Sequence, residues 1–236
     1  MRTSRLVMVC AGFAALAALA PRLSAQVAPR DSWTSEFNVD KADLASTGRN
    51  PYFVLEPDYR LILEGGRERL VITVLNETRM VDGVETRVVE ERETENGKLV
   101  EVSRNYYAIS RRTNSVFYFG EDVDTYRDGV VNGHEGSWLS GSNGARFGLM
   151  MPGEQLLKGR YYQELAPGIA MDRAEIDSVS ENVRTPAAAF QQVLKVAEST
   201  PLEVVHEYKY YVKGIGLVQD GSAKLVKYGN ALTAGQ

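Results

Sequence analysis

The chain has 236 residues, with 27 Lys+Arg, 31 Asp+Glu, two His and one Cys, and a formal charge of −4. Hydrophobic residues at 44% and charged residues at 25% are ordinary for a globular protein and exclude wholesale disorder. The acidic balance argues against a dedicated nucleic-acid binder, and one Cys with two His excludes both an internal disulfide and a zinc-finger site.

Residues 1–25 have the three parts of a secretory signal. Arg2 and Arg5 form a basic start, Leu6 to Ala20 is an uncharged run rich in Ala and Leu, and Leu23-Ser24-Ala25 offers a cleavage site. The run is shorter than the roughly 20 residues that span a bilayer, so it predicts removal rather than anchoring. Cys10 lies inside it, and Val7-Met8-Val9 is a poor match for the small residues that precede a lipidated Cys. The predicted mature chain begins near Gln26, has no Cys, and carries 24 basic against 31 acidic residues, or −7, once Arg2, Arg5 and Arg22 are gone. It has no further apolar run long enough to cross a membrane as a helix. The expected location is secreted or periplasmic.

Residues 26–50 are polar and turn-rich and read as an arm or linker. From Pro51 the pattern is of short β-type runs broken by turn residues. Tyr52–Glu56 and Arg60–Glu64 come first, then Arg69–Glu77 with its β-branched Leu-Val-Ile-Thr-Val-Leu core. Val81-Asp82-Gly83 marks a turn, Val84–Glu93 a strand, and Asn96-Gly97 a tight hairpin, since both central positions of a type I′ turn need positive φ. Lys98–Ser110 and Val116–Gly120 follow. The acidic run Glu90–Glu95 and Arg111-Arg112 read as solvated hairpin ends.

Residues 120–155 lose the alternation and carry Gly at 120, 129, 133, 136, 141, 144, 148 and 153. Long irregular segments in compact domains are often functional. Strands resume at Gly159–Glu164, Ala170–Val179, Phe190–Ser199, Glu203–Lys213, Ile215–Gln219 and Lys224–Tyr228, and residues 229–236 read as a tail. Ala187–Ala197 is the best helical candidate but fits a twisted strand as well. The prediction is one all-β domain over 51–228, an antiparallel meander of ten to twelve strands. A barrel, a half-barrel or a two-sheet sandwich would bury it. The hairpin order favours a barrel or strongly curved sheet, which also hides strand edges.

Val116-Phe117-Tyr118-Phe119-Gly120-Glu121-Asp122 places aromatics before two carboxylates, and His134-Glu135-Gly136-Ser137-Trp138 follows after a turn. If the flanking strands pair, Glu121 or Asp122 faces Glu135. Carboxylates beside apolar rings acquire separated pKa values, one acting as acid and one as base, which makes Glu121, Asp122, Glu135 and His134 the catalytic candidates. Asp122, Asp124 and Asp128 fail the EF-hand pattern, with Tyr126 at its fifth position, and His134 and His206 lie far apart, so no metal is assigned. Ser137 is not in a G-x-S-x-G elbow. Twelve Tyr and two Trp form the second feature. Tyr106, Tyr162 and Tyr210 are read as lining an interior, with Tyr118 and Trp138 as further ligand-binding candidates.

Residues 52–228 resemble an uncharacterised family of secreted bacterial all-β proteins. The matching phrases are Tyr118-Phe119-Gly120-Glu121-Asp122, Gly136-Ser137-Trp138, Gly141 with Gly144-Ala145, and Gly148-Leu149-Met150-Met151-Pro152. Further on come Tyr162-Gln163-Glu164 and Gly214-Ile215-Gly216-Leu217-Val218. The last segment is also similar to the closing hairpin of lipoprotein-carrier-like curved sheets, although no helix to plug such a sheet is predicted here. The resemblance implies export and an all-β fold, and no activity or cofactor. The function expected is binding or scaffolding of a small or lipid-like ligand. The alternative is a secreted hydrolase or lyase on saccharide, using the paired carboxylates.

Overall fold

The computed structural model describes residues 32–204 and 206–230. The predicted leader, with Cys10 and the cleavage site at Ala25, lies outside the described residues, as does the tail beyond Asn230. Among the described residues helical structure is limited to one 3-10 turn, Lys41–Asp43, capped by the Asp40 carboxylate on the Ala42 amide. The strands in chain order are β1 (Leu44–Ala45), β2 (Gly48–Asn50), β3 (Phe53–Leu55), β4 (Tyr59–Gly65), β5 (Glu68–Val81), β6 (Val84–Glu95), β7 (Lys98–Ser110), β8 (Val116–Arg127), β9 (Val130–Gly133), β10 (Trp138–Leu139), β11 (Arg146–Met151), β12 (Arg160–Tyr162), β13 (Glu164–Leu165), β14 (Arg173–Arg184), β15 (Ala189–Ser199), β16 (His206–Val212), β17 (Gly216–Asp220) and β18 (Ala223–Asn230).

Turn residues set this order. Asp82-Gly83, Asn96-Gly97 and Asp128-Gly129 all have positive φ at both positions, the backbone that two-residue hairpins require. The main sheet runs β12-β14-β15-β16-β17-β18-β4-β5-β6-β7-β8-β11-β13. Its two outermost strands are consecutive in the chain. Arg160–Tyr162 pairs with β14 and Glu164–Leu165 pairs with β11, and the amides of Gln163 and Glu164 both donate to the carbonyl of Asp172. One short segment thus bridges both edges, and the sheet is a nearly closed antiparallel barrel. Its thirteen-strand path exceeds the ten to twelve expected, because the glycine-rich stretch contains short strands of its own.

Two differences from the sequence reading have physical causes. The 120–155 stretch is regular for much of its length: β8 continues to Arg127 and returns as β9, and the glycines mark bulges and close approaches rather than one long loop. The strand expected at Phe190–Ser199, by contrast, is formed as β15, Ala189–Ser199. Ordered structure begins before Pro51. β1 pairs with the end of β7, and Leu44, Phe37 and Val39 cover an outer apolar patch of Val81, Val88, Tyr106, Phe117 and Phe119. Arg87, itself buried, fastens this arm by donating to Ser46 O and Thr47 Oγ1, and it also reaches the Leu75 and Glu77 carbonyls. Those two carbonyls flank the register break in β5, where ladder bonds are lost.

β2 and β3 form a separate hairpin that closes one end of the barrel. Buried Asn50 donates to the carbonyls of Asn114 and Pro152, each at 2.8 Å, and Pro51 O accepts from Gly214 N at 2.7 Å. The opposite end, at the β4–β5, β6–β7 and β17–β18 turns, has no such cover among the described residues.

Closure depends on Gly148. A Cβ there would overlap the backbone carbonyls of Gln163 and Tyr162, which are main-chain atoms and cannot swing aside as a flexible side chain could. We expect Gly148→Ala to destabilise the domain by roughly 1–3 kcal/mol or more, the usual cost of overpacking, measured by urea unfolding. An unchanged midpoint would mean that the seam is not packed as described.

Candidate functional site

Alternation along a strand sends successive side chains to opposite faces, and one bulge decides what faces the lumen. In β8, Val116 and Tyr118 join the interior core while Phe117 and Phe119 join the outer patch. Register with β7 then slips: Tyr118 lies opposite Tyr107, but Glu121 lies opposite Asn105. Gly120 takes the slack at φ 124°, a conformation that glycine adopts without strain. Tyr118 and Glu121 therefore share the inner face, three residues apart.

Glu121 sits among aromatic rings and other acids. Its cross-strand neighbour in β10 is Trp138. Tyr118 packs edge-on to Trp138 at 5.4 Å and stacks on Tyr107 at 4.6 Å between ring centres. The Tyr118 hydroxyl donates to Asn105 Oδ1. Glu91 and Glu93 in β6 have the same parity as buried Val89, and Glu101 faces Glu93 across β6 and β7. Glu198 follows buried Val196 at the same parity in β15 and accepts from Gln163 at 3.1 Å and from Lys209 at 2.9 Å. Asp220 lies opposite Lys209 across β16 and β17, at 3.7 Å.

Glu91, Glu93, Glu101, Glu121 and Asp220 are raised above the ordinary carboxyl value, and burial is the leading cause. Glu121 is pushed up to about 8 by burial and then by the charge of Glu91, against the opposing hydrogen bond of Tyr118. Glu91 is pushed up to about 7 by burial, with Glu93, Asp220 and Glu101 adding and Lys209 subtracting. Glu164 is held well above the ordinary carboxyl range by burial and by Glu121. Lys209 is disfavoured by its own burial, but Glu198 and Asp220 overcome this and raise it. Glu91, Glu121, Glu164 and Lys209 nonetheless keep part of their surface accessible. Both properties together describe side chains that face an enclosed lumen and not bulk water.

The lumen has an apolar end and an acidic mouth. Toward the capping hairpin a cavity of about 70 Å³ is lined by Tyr52, Phe53, Leu61, Ile72, Val74 and Met150, with Glu91, Lys209 and Asp220 on its upper wall. At the other end a cleft of about 840 Å³ is lined by Glu68, Glu93, Glu95, Glu207, Arg69 and His206, and Asp220 borders both.

The sequence candidates divide between faces. Glu121, Tyr118 and Trp138 are brought together inside. Asp122 points outward, where Arg79 binds it and the Tyr106 hydroxyl donates to it at 2.6 Å. His134 and Glu135 are exposed in the β9–β10 turn, with His134 Nδ1 2.7 Å from Asp124. The expected facing of Glu135 with Glu121 or Asp122 is not formed, because Trp138 and Leu139 occupy the positions opposite Glu121 and Gly120. Tyr106 and Tyr162 line neither the cavity nor the cleft. Tyr106 lies in the outer patch and Tyr162 packs on Trp33 at 6.4 Å, whereas Tyr210 borders the mouth cleft and packs partly against the interior core. The interior tyrosines are their sequence neighbours Tyr107, Tyr161 and Tyr211. Glu91, read as part of a solvated run, faces the lumen, and Glu93, of the same parity, is exposed at its mouth. Their parity with Val89 was the available signal.

Other readings are also resolved by partners. Asp122, Asp124 and Asp128 bind Arg79, His134 and Lys98 separately, and no group of three metal-ligating side chains occurs among the described residues. Ser137 Oγ accepts from Val123 N at 2.8 Å, and Ser140 donates to Asp82, so neither is poised as a nucleophile. No helix among the described residues is long and apolar enough to cross a membrane. No protein-family model, curated protein or solved structure matches the chain.

A carboxyl raised in the folded state binds its proton more tightly there than in the unfolded chain. Its stabilising contribution is complete below the unfolded value of 4.5 and is lost as pH rises through the folded value of about 8. The melting temperature should therefore fall between pH 5 and pH 9. Glu121→Gln should flatten that slope and raise Tm at pH 9, measured by calorimetry. A Tm that rises over this window, or a slope unaltered in the variant, would contradict the interior placement of Glu121.

Proposed function

We propose that this protein binds a small amphipathic ligand in the barrel lumen, with the apolar part in the cavity near Ile72 and Val74 and the polar part against the acidic wall. The observation that carries the reading is an apolar cavity and a wide polar cleft that share Asp220 as a lining residue. Ligand sites are concave, largely apolar and equipped with a few convergent polar groups, and barrels of this kind supply such space. A hydrolase or lyase built on Glu121, Asp122 and Glu135 has less support, since Asp122 and Glu135 lie on other surfaces than Glu121.

The neutral fluorophore N-phenyl-1-naphthylamine tests this. It should bind saturably with enhanced emission. Val74→Phe, which fills the cavity at an overpacking cost of roughly 1–3 kcal/mol, should weaken binding by about tenfold, or 1.4 kcal/mol, while a cooperative melt shows the variant folded. Absence of saturable emission, or full binding by the folded variant, would sink the reading.

The proposed setting is the periplasm or the exterior, supported by the three-part leader pattern of residues 1–25. Mass spectrometry of protein expressed from the full chain in a bacterial host should find Gln26 or a close neighbour at the N-terminus. Retention of Cys10 would refute cleavage.

A further inference from the structure

Two buried polar atoms of the interior core lack partners among the described residues. Trp138 and Tyr161 are each 4% exposed, and Trp138 Nε1 and the Tyr161 hydroxyl make no hydrogen bond among the described residues. Both side chains belong to the interior core. Trp138 lies beside Glu121 across the β8–β10 pair, and Tyr161 lies within the field of Glu198. A buried donor left unsatisfied costs about 1–3 kcal/mol, and native proteins rarely tolerate that away from function. An indole N–H can only donate, so what completes Trp138 must bring an acceptor.

The surrounding charge asks for the opposite sign of ligand. Glu91, Glu101, Glu121, Glu164, Glu198 and Asp220 face or border the lumen, and Lys209 is already held between Glu198 and Asp220. The mouth adds Glu68, Glu93, Glu95 and Glu207 against Arg69. An ammonium placed among these acids would favour their ionised form, whereas burial on its own favours the protonated form of several of them. The rings of Phe53, Tyr107, Tyr118 and Trp138 form a continuous aromatic series beside these acids, with centroid separations of 5.0, 4.6 and 5.4 Å. Aromatic faces favour ammonium groups, most of all where water is excluded.

We infer that the lumen takes an organic ammonium carrying a neighbouring oxygen, an amino alcohol head on an apolar chain, with the ammonium against Glu121 and Glu91 and the oxygen accepting from Trp138 Nε1. The three N–H donors of a primary ammonium suit carboxylate acceptors, and the oxygen supplies what the indole lacks. A carboxylate head would add like charge to the acids, and a plain alcohol would bring no charge to favour their ionised form. This assignment rests on the ligand-binding reading above and names the chemical class of its polar head.

The test is displacement of N-phenyl-1-naphthylamine from the mature chain by four decyl compounds: 2-amino-1-decanol, decylamine, 1-decanol and decanoate. The amino alcohol should displace best and decylamine next, with 1-decanol and decanoate weaker than decylamine by about tenfold or more, as for a desolvated ammonium on aromatic faces. Glu121→Gln should weaken decylamine more than 1-decanol, and Trp138→Phe should erase the advantage of the amino alcohol over decylamine. In Trp33→Phe protein, where Trp138 is the remaining tryptophan of the two, the amino alcohol should shift the emission. Displacement by 1-decanol or decanoate as strong as by decylamine would overturn the ammonium assignment while leaving the binding reading intact. If the naphthylamine binds but the amino alcohol does not surpass decylamine, the oxygen acceptor is refuted. Failure of the naphthylamine and all four compounds to bind would overturn both.

Discussion

The structure depends on a close backbone contact at Gly148. There the segment Arg160–Leu165 crosses from β14 to β11 and joins the two edges of one long sheet. A sheet with free edges exposes unpaired amides and carbonyls, and closure removes that liability. Closure also creates an inside. Without it Glu121, Glu91 and Glu164 would lie on an open curved surface, where water would hold them ionised at ordinary values. With it they share a confined space, and their proton affinity becomes a property of the barrel.

Small irregularities then choose the lumen's contents. The bulge at Gly120 turns Glu121 to the same side as Tyr118, and without that extra residue Glu121 would point outward and Gly120 inward. The capping hairpin ties its backbone to distant turns through Asn50 and Pro51, which closes one end and leaves an apolar cavity beneath the acids. Arg87 compensates the broken ladder of β5 and holds the arm whose apolar residues cover the outer patch. Each device sacrifices regular pairing locally and leaves a shaped interior, consistent with the tendency of real proteins to depart from local rules where they function.

Much of the fold was legible in the sequence because turn chemistry is local. Asp82-Gly83, Asn96-Gly97 and Asp128-Gly129 announce hairpins without reference to anything distant. Parity was harder, since a period of two makes every error a complete inversion. In Tyr106-Tyr107, Tyr161-Tyr162 and Tyr210-Tyr211 both members have the same β-propensity, and only the tertiary register decides that Tyr107, Tyr161 and Tyr211 turn inward. The run Glu90–Glu95 misleads in the same way: its charge suggests solvent, but Glu91 continues the inward face of Val89. Glu121, Tyr118 and Trp138 were identifiable because aromatics cluster around a carboxylate in sequence. Glu91, Glu164 and Lys209 come from other strands, and no local pattern could unite them.

The central claim is that alternate residues of these strands face an enclosed lumen. Single cysteines placed in a Cys10→Ser chain test it directly, since Cys10 is the one native cysteine. Glu91→Cys and Arg92→Cys are adjacent in β6, as are Glu121→Cys and Asp122→Cys in β8. Cysteines at 92 and 122 should react rapidly with both a small methanethiosulfonate and a bulky polyethylene-glycol maleimide. Those at 91 and 121 should react with the small reagent alone while the protein is folded, and with both in denaturant. Equal labelling of neighbouring positions by the bulky reagent in the folded protein would contradict the lumen.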